Sequence, residues 1–150
     1  MKILARTTLA VLVLGAAQHT GVVKAQEAGK AKEERGAAGS SAAERGRYIV
    51  ESVAMCGRCH TAYNQAGESE RRNKLLGGPN TIQPTYTVPN WAVVEPRLAG
   101  RPPGTDEDFI RLLTTGISRT GAPPKPPMPP FRMTRADAEA VLAYLKSLPR

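Results

Sequence analysis

Three stretches of this 150-residue chain place apolar side chains at helical spacing. Ile49, Val50, Val53 and Ala54 share one side of a helix predicted from Ser41 to about His60, with Gly46 one turn earlier. Phe109, Ile110, Leu112 and Leu113 mark the inward side of a second helix, and Gly116 is its stop. Ala138, Val141, Leu142, Leu145 and Leu148 form the buried stripe of a third, which Pro149 follows. Each opens with a hydroxyl followed three residues later by an acid: Ser41 with Glu44, Thr105 with Asp108, Thr134 with Asp137. The pair can satisfy two of the backbone N–H groups that a helix start leaves without intrahelical partners. Acids fill the first turn of the second helix, where the helix dipole favours them.

Between Thr61 and Gly104 neither period holds. Glycine and proline recur instead, at Gly67, Gly77, Gly78, Pro79, Pro84, Pro89, Pro96, Gly100, Pro102 and Pro103. A structureless loop of about 40 residues inside a small domain argues against a helical assignment unless something else supplies the core. Large aromatics are also few beyond the N-terminal segment: Tyr48, Tyr63, Tyr86, Trp91, Phe109, Phe131 and Tyr144. The reading is therefore an all-α domain that leaves part of its interior to be filled by something other than its own side chains.

Cys56-Gly57-Arg58-Cys59-His60 says what that something is. These are the only two cysteines of the chain, three positions apart, with a histidine next in line. The spacing is that of covalent c-type haem attachment: two thiols add to the vinyl groups and the histidine binds the iron from the proximal side. A zinc site would need about four ligands, and the only other histidine is His19. A thioredoxin-like dithiol would follow a strand, whereas the residues before Cys56 read as helix. A disulfide across two residues would close a small, strained loop of little stabilising value. An apolar porphyrin lets the long loop lie against it rather than bury its own side chains.

The chain begins with the marks of export. Lys2 and Arg6 precede an apolar run from Thr7 to Ala17, and Val23-Lys24-Ala25 offers a cleavage site. The run is too short for a bilayer span of about 20 residues. Residues 1–25 are thus expected to be a cleaved signal peptide, 26–40 a charged flexible leader with no large apolar residue, and 41–150 the folded domain. A periplasmic or otherwise exported location agrees with haem attachment outside the bacterial cytoplasm. Removing Lys2, Arg6 and Lys24 lowers the formal charge from +8 to +5. That excess suits docking onto acidic protein patches or a membrane surface. Nucleic-acid binding is disfavoured by export and by the lack of a basic helix.

An iron that only transfers electrons needs a second axial ligand, and a thioether opposite histidine favours the reduced state. Met55 lies on the proximal segment. Met128 lies in Ala122-Pro123-Pro124-Lys125-Pro126-Pro127-Met128-Pro129-Pro130-Phe131, whose prolines stiffen the backbone into a strap able to hold a weak Fe–S bond. Met128 is the expected sixth ligand, with Met133 the less favoured choice.

The pentapeptide after an amphipathic helix, the later Met128-Pro129, and the final helix Asp137 to Leu148 together resemble a class I, mono-haem cytochrome c over about residues 43–149. The resemblance implies a small cytochrome c-like fold, three main helices and long loops wrapped around one covalently bound haem c. It implies that the first and last helices cross at right angles, with Gly46 permitting the close approach, opposite Tyr144. It also implies a backbone carbonyl that orients His60, for which Gly78-Pro79 is the local candidate, and propionate contacts, for which Trp91, Tyr86, Asn90 and Arg97 are candidates. The expected function is a non-enzymatic, exported carrier of single electrons with Cys56 and Cys59 holding the haem and His60 and Met128 on the iron. Its partners would be redox proteins, among them an exported dehydrogenase or a terminal oxidase. The alternative is a haem enzyme or gas sensor with an open sixth position; a haem-free dithiol protein is a third class. Lys125, Arg101 and Arg132 are the basic residues expected to guide an acidic partner.

Overall fold

A computed structural model describes residues 41–64, 66 and 73–149; the expected signal peptide and leader lie outside the described residues. The first helix, α1 (41–53), is already helical at Ser41, so Ser41 lies within it and is not its cap, contrary to the expected box with Glu44. Its second half, Ile49–Val53, is a π-helix in which the Ala54 N–H reaches back to the Ile49 carbonyl at 2.8 Å. That wider turn rotates Val53 back around the axis from its α-helical direction. Ile49 and Val50 are buried, and Val53, expected inward, is 56% exposed. Nor does the helix run on to His60. Met55 takes a left-handed conformation, φ 48°, which ends it, and a separate single turn, α2 (Gly57–His60), follows.

The other two helices keep their sequence signals. In α3 (Asp106–Thr115) the Thr105 hydroxyl accepts from the Asp108 N–H while the Asp108 carboxylate accepts from the Thr105 N–H, a complete capping box. Gly116 ends it at φ 65°, a left-handed position that glycine takes without strain. Phe109, Ile110 and Leu113 are buried, whereas Leu112 stays half-buried. In α4 (Arg135–Ser147) Thr134 accepts from the Asp137 N–H at 3.1 Å. The Asp137 carboxylate turns to Arg45 of α1, at 2.9 Å.

Helix α4 packs against both α3 and α1. Ala138, Val141, Leu142, Tyr144 and Leu145 meet Ile49 and Val50 from α1 and Phe109, Ile110 and Leu113 from α3 in one core. Gly46 lies at the closest point of α1 and α4, facing Ala140 and Tyr144 as expected: a Cβ there would lie 2.5 Å from the Ala140 carbonyl carbon and 2.9 Å from Tyr144 Cβ. Below it, Glu51 accepts from the Tyr144 hydroxyl and from Lys74 Nζ, at 2.7 Å to the lysine. This joins α1, α4 and the loop that follows α2.

That loop has more order than its sequence predicts. Two-residue strands β1 (Gly78–Pro79) and β2 (Val94–Glu95) pair antiparallel, with Gly78 opposite Glu95 and Pro79 opposite Val94. Thr61 bridges Gly77 in parallel. Leu75, Leu98 and Ala99 carry the loop into the helical core, and the Leu75 carbonyl accepts from both the Leu98 and the Ala99 N–H, at 2.8 and 2.9 Å. Among the described residues no helix is long and apolar enough to cross a membrane.

Candidate functional site

The left-handed turn at Met55 brings the chain out of α1 and into one tight helical turn. The Cys56 N–H bonds back to the Val50 carbonyl at 2.9 Å, and the His60 N–H bonds to the Cys56 carbonyl at 2.9 Å. Both thiols and the imidazole thereby share a single rigid turn, anchored to α1 at one end. Cys56 packs against the core, and neither cysteine is in a disulfide. Burial pushes the Cys56 thiol up to about 11. Cys59 is also raised, by desolvation first and then by the nearby Glu95 carboxylate. Redox-active dithiols need the opposite, a thiolate favoured by positive surroundings. No group of three or more His, Cys, Asp or Glu able to hold a metal occurs among the described residues.

His60 is the most constrained member. It is buried at 6% exposure, and its Nδ1 lies 2.8 Å from the Pro96 carbonyl. A carbonyl can only accept, so Nδ1 carries the proton and Nε2 keeps its lone pair for a metal. The orienting carbonyl is thus Pro96, not Gly78-Pro79. The two segments are partners in the β1–β2 ladder, so both pass close to His60, and the register gives the carbonyl to the strand that continues into Pro96. Neighbouring backbone holds the histidine in place. Its carbonyl accepts from the Gly77 N–H at 2.9 Å, and the Thr61 hydroxyl accepts from the buried Leu75 N–H at 3.1 Å.

Beside the Cys59 thiol opens a cleft of about 350 Å³ lined by Ala54, Met55, Arg58, Cys59, Tyr63, Thr81 and Ile82. Val53, Met55, Tyr63 and Ile82 are large apolar or aromatic residues left at least one-third exposed next to the turn. Thiols without partners, an imidazole with one free nitrogen and an apolar surface beside them fit the donor set and the apolar face of haem c.

Met128 remains on the strap between α3 and α4. It is half-buried, lines neither this cleft nor a second one, and no hydrogen bond joins it to the Cys56–His60 turn. The strap is held at its centre, where the Pro126 carbonyl accepts from the Ala92 N–H at 2.7 Å and the Met128 N–H reaches the Lys125 carbonyl at 3.2 Å. Met133 packs against the helical core, a poor position for a ligand. The second cleft, about 560 Å³, lies between the strap and Pro89-Asn90. Of the residues considered for propionates, Asn90 lines this cleft. Trp91 Nε1 donates to the Ile82 carbonyl at 3.0 Å, and Arg97 donates to the carbonyls of Ala99 and Pro149 at 2.8 and 3.2 Å. Tyr86 is 75% exposed.

Sequence reasoning missed Pro96, Thr61 and Glu95. Pro96 carries no signal that separates it from Pro79. Glu95 is a single acid closing the apolar run Ala92-Val93-Val94, a charge that burial makes informative only once the register is known.

A family model described as Cytochrome c matches residues 43–149. The chain is 32% identical over 111 residues to a protein of Cereibacter sphaeroides named "Diheme cytochrome c-type", an alignment covering 71% of this chain and 35% of the relative. It therefore spans about a third of that protein's length.

Proposed function

The chain belongs to the cytochrome c family, and from that premise we propose that it is an exported mono-haem carrier of single electrons, with one haem c attached at Cys56 and Cys59 and axial ligation by His60 and Met128. When bound, haem c supplies a one-electron Fe(II)/Fe(III) couple. The polypeptide contributes the rest. The α2 turn presents both thiols and His60 from one rigid unit, and the Pro96 carbonyl fixes the imidazole tautomer and its rotation. Met55, Tyr63 and Ile82 offer apolar cover that excludes water. The proline strap stiffens Met128, so that its sulfur is lost less readily than one on a flexible loop. The observation that carries the reading is the 2.8 Å Nδ1 contact of His60 with Pro96, on the same turn as two unpaired thiols.

The partners follow from surface charge. Arg101, Lys125 and Arg132 are exposed and form no ion pair among the described residues, which leaves them available to an acidic redox protein. The Cereibacter relative carries the word diheme in its name; this chain has one Cys-x-x-Cys-His motif and room in its cysteine count for one haem. A visible spectrum tests the ligation. The oxidised protein should show the weak far-red band of methionine–iron charge transfer, and Met128→Ala should abolish it. A parent protein without that band, or one that binds carbon monoxide readily when reduced, would instead support the open-site alternative.

A further inference from the structure

We propose that Glu95 lowers the reduction potential of the site by holding a buried carboxylate on its His60 side; this rests on the proposed attachment of haem at Cys56, Cys59 and His60. Glu95 is 4% exposed, and its Oε1 is buried without a hydrogen-bond partner. It closes β2, where it is paired with Gly78, and the next residue is Pro96, whose carbonyl holds His60 Nδ1. Backbone and side chain thus set the carboxyl group behind the attachment turn rather than on the surface.

Among the described residues no donor or cation is paired with the Glu95 side chain. Glu95 forms no ion pair among the described residues, and the nearest cation in sequence, Arg97, donates to the carbonyls of Ala99 and Pro149. A buried carboxyl oxygen without a donor costs stability, and a glutamine or leucine would fill similar space at less cost. Groups kept at such a cost concentrate at functional sites. The compensating charge is the one that function supplies. Loss of one electron to a redox partner would add one positive charge to an iron held by His60. A carboxylate beside it in a medium of low dielectric favours that oxidised state, so the potential falls.

The test is the midpoint potential of the holoprotein at fixed pH and salt, in the parent, Glu95→Gln and Glu95→Asp. Glutamine keeps the shape and removes the charge; aspartate keeps the charge and draws it back by one methylene. The expected result is a rise for glutamine and a smaller rise for aspartate, with intact haem content and unchanged His60 ligation in the spectrum. A glutamine potential equal to or below the parent's overturns the inference. So does an equal rise in both variants, which would mark a packing effect. If Glu95→Gln does not accumulate with haem, Glu95→Ala and Glu95→Ser remove the charge as well and are read the same way. A parent protein lacking covalent haem would defeat the proposed function itself, an outcome distinct from a haem-bearing variant with an unmoved potential.

Discussion

Replacing Gly46 with alanine should destabilise the protein even though alanine is the better helix former. In isolation the change favours the helix by about 1 kcal/mol. Here the new methyl would lie 2.5 Å from the Ala140 carbonyl carbon and 2.9 Å from Tyr144 Cβ. Carbon atoms pack best at roughly 3.5–4.0 Å, so α1 and α4 must separate by about 1 Å, and the obstacle is backbone, which cannot rotate away. Overpacking of this kind typically costs about 1–3 kcal/mol. Separation would also loosen Ile49 and Val50 from Val141 and Leu145 in the shared core. Because the obstacle is backbone, the upper part of that range applies, about 2–3 kcal/mol; after the helix gain is deducted the expected loss is about 1–2 kcal/mol, which for a domain of this size lowers Tm by roughly 4–16 °C. Urea melts of the haem-bearing protein, followed by far-UV circular dichroism, would read it as a lower midpoint with an unchanged slope. A midpoint equal to or above the parent's would refute the close-approach argument.

Further outcomes follow from the same geometry. Thr61→Val keeps the side-chain shape but strands the buried Leu75 N–H, and should cost about 1–3 kcal/mol in the same melts; an unchanged midpoint would mean that water replaces the hydroxyl. The Glu51 carboxyl is held below its ordinary 4.5, first by Lys74 and then by the Tyr144 hydroxyl. A depressed carboxylate stabilises the fold above its unfolded value and loses that contribution as pH falls through the folded one. The stability gap between the parent and Glu51→Gln should therefore be widest near neutrality and close below pH 4.5; a gap constant with pH would remove the ion pair from the account. Electron exchange with an acidic partner should slow as salt rises, and Lys125→Glu should slow it at low salt and flatten the salt dependence; rates indifferent to ionic strength would exclude charge-guided docking.

What the sequence made legible was whatever repeats or sits close together in the chain. The box at Thr105 and Asp108, the glycine stop at Gly116 and the stripe of α4 are local, and each appears where the pattern puts it, except that Leu148 lies just past the end of α4 and is half-buried. The Cys56–His60 motif is local too, five consecutive residues, although its separate turn was expected as the end of the first helix. The contact of Gly46 with Tyr144 came through family resemblance, which supplies the long-range pairing that periodicity lacks. The misses lie where distant segments decide. No propensity distinguishes a helix continuing through Met55 from one that breaks there; the break appears only in the left-handed backbone at Met55. Strands of two residues have no period, so the register that selects Pro96 over Pro79, and that buries Glu95, exists only once the loop has folded back on itself. Leu112 was mistaken for core because four apolar residues occur within five positions of α3, more than its buried face takes in.

The central claim is that Cys56 and Cys59 carry a porphyrin through covalent bonds. Its most direct test is the intact mass, under denaturing conditions, of protein matured in a host that possesses haem-attachment machinery. The account predicts a polypeptide heavier by one haem, with the increment lost when both cysteines are changed to serine. A mass equal to that of the bare polypeptide would contradict it.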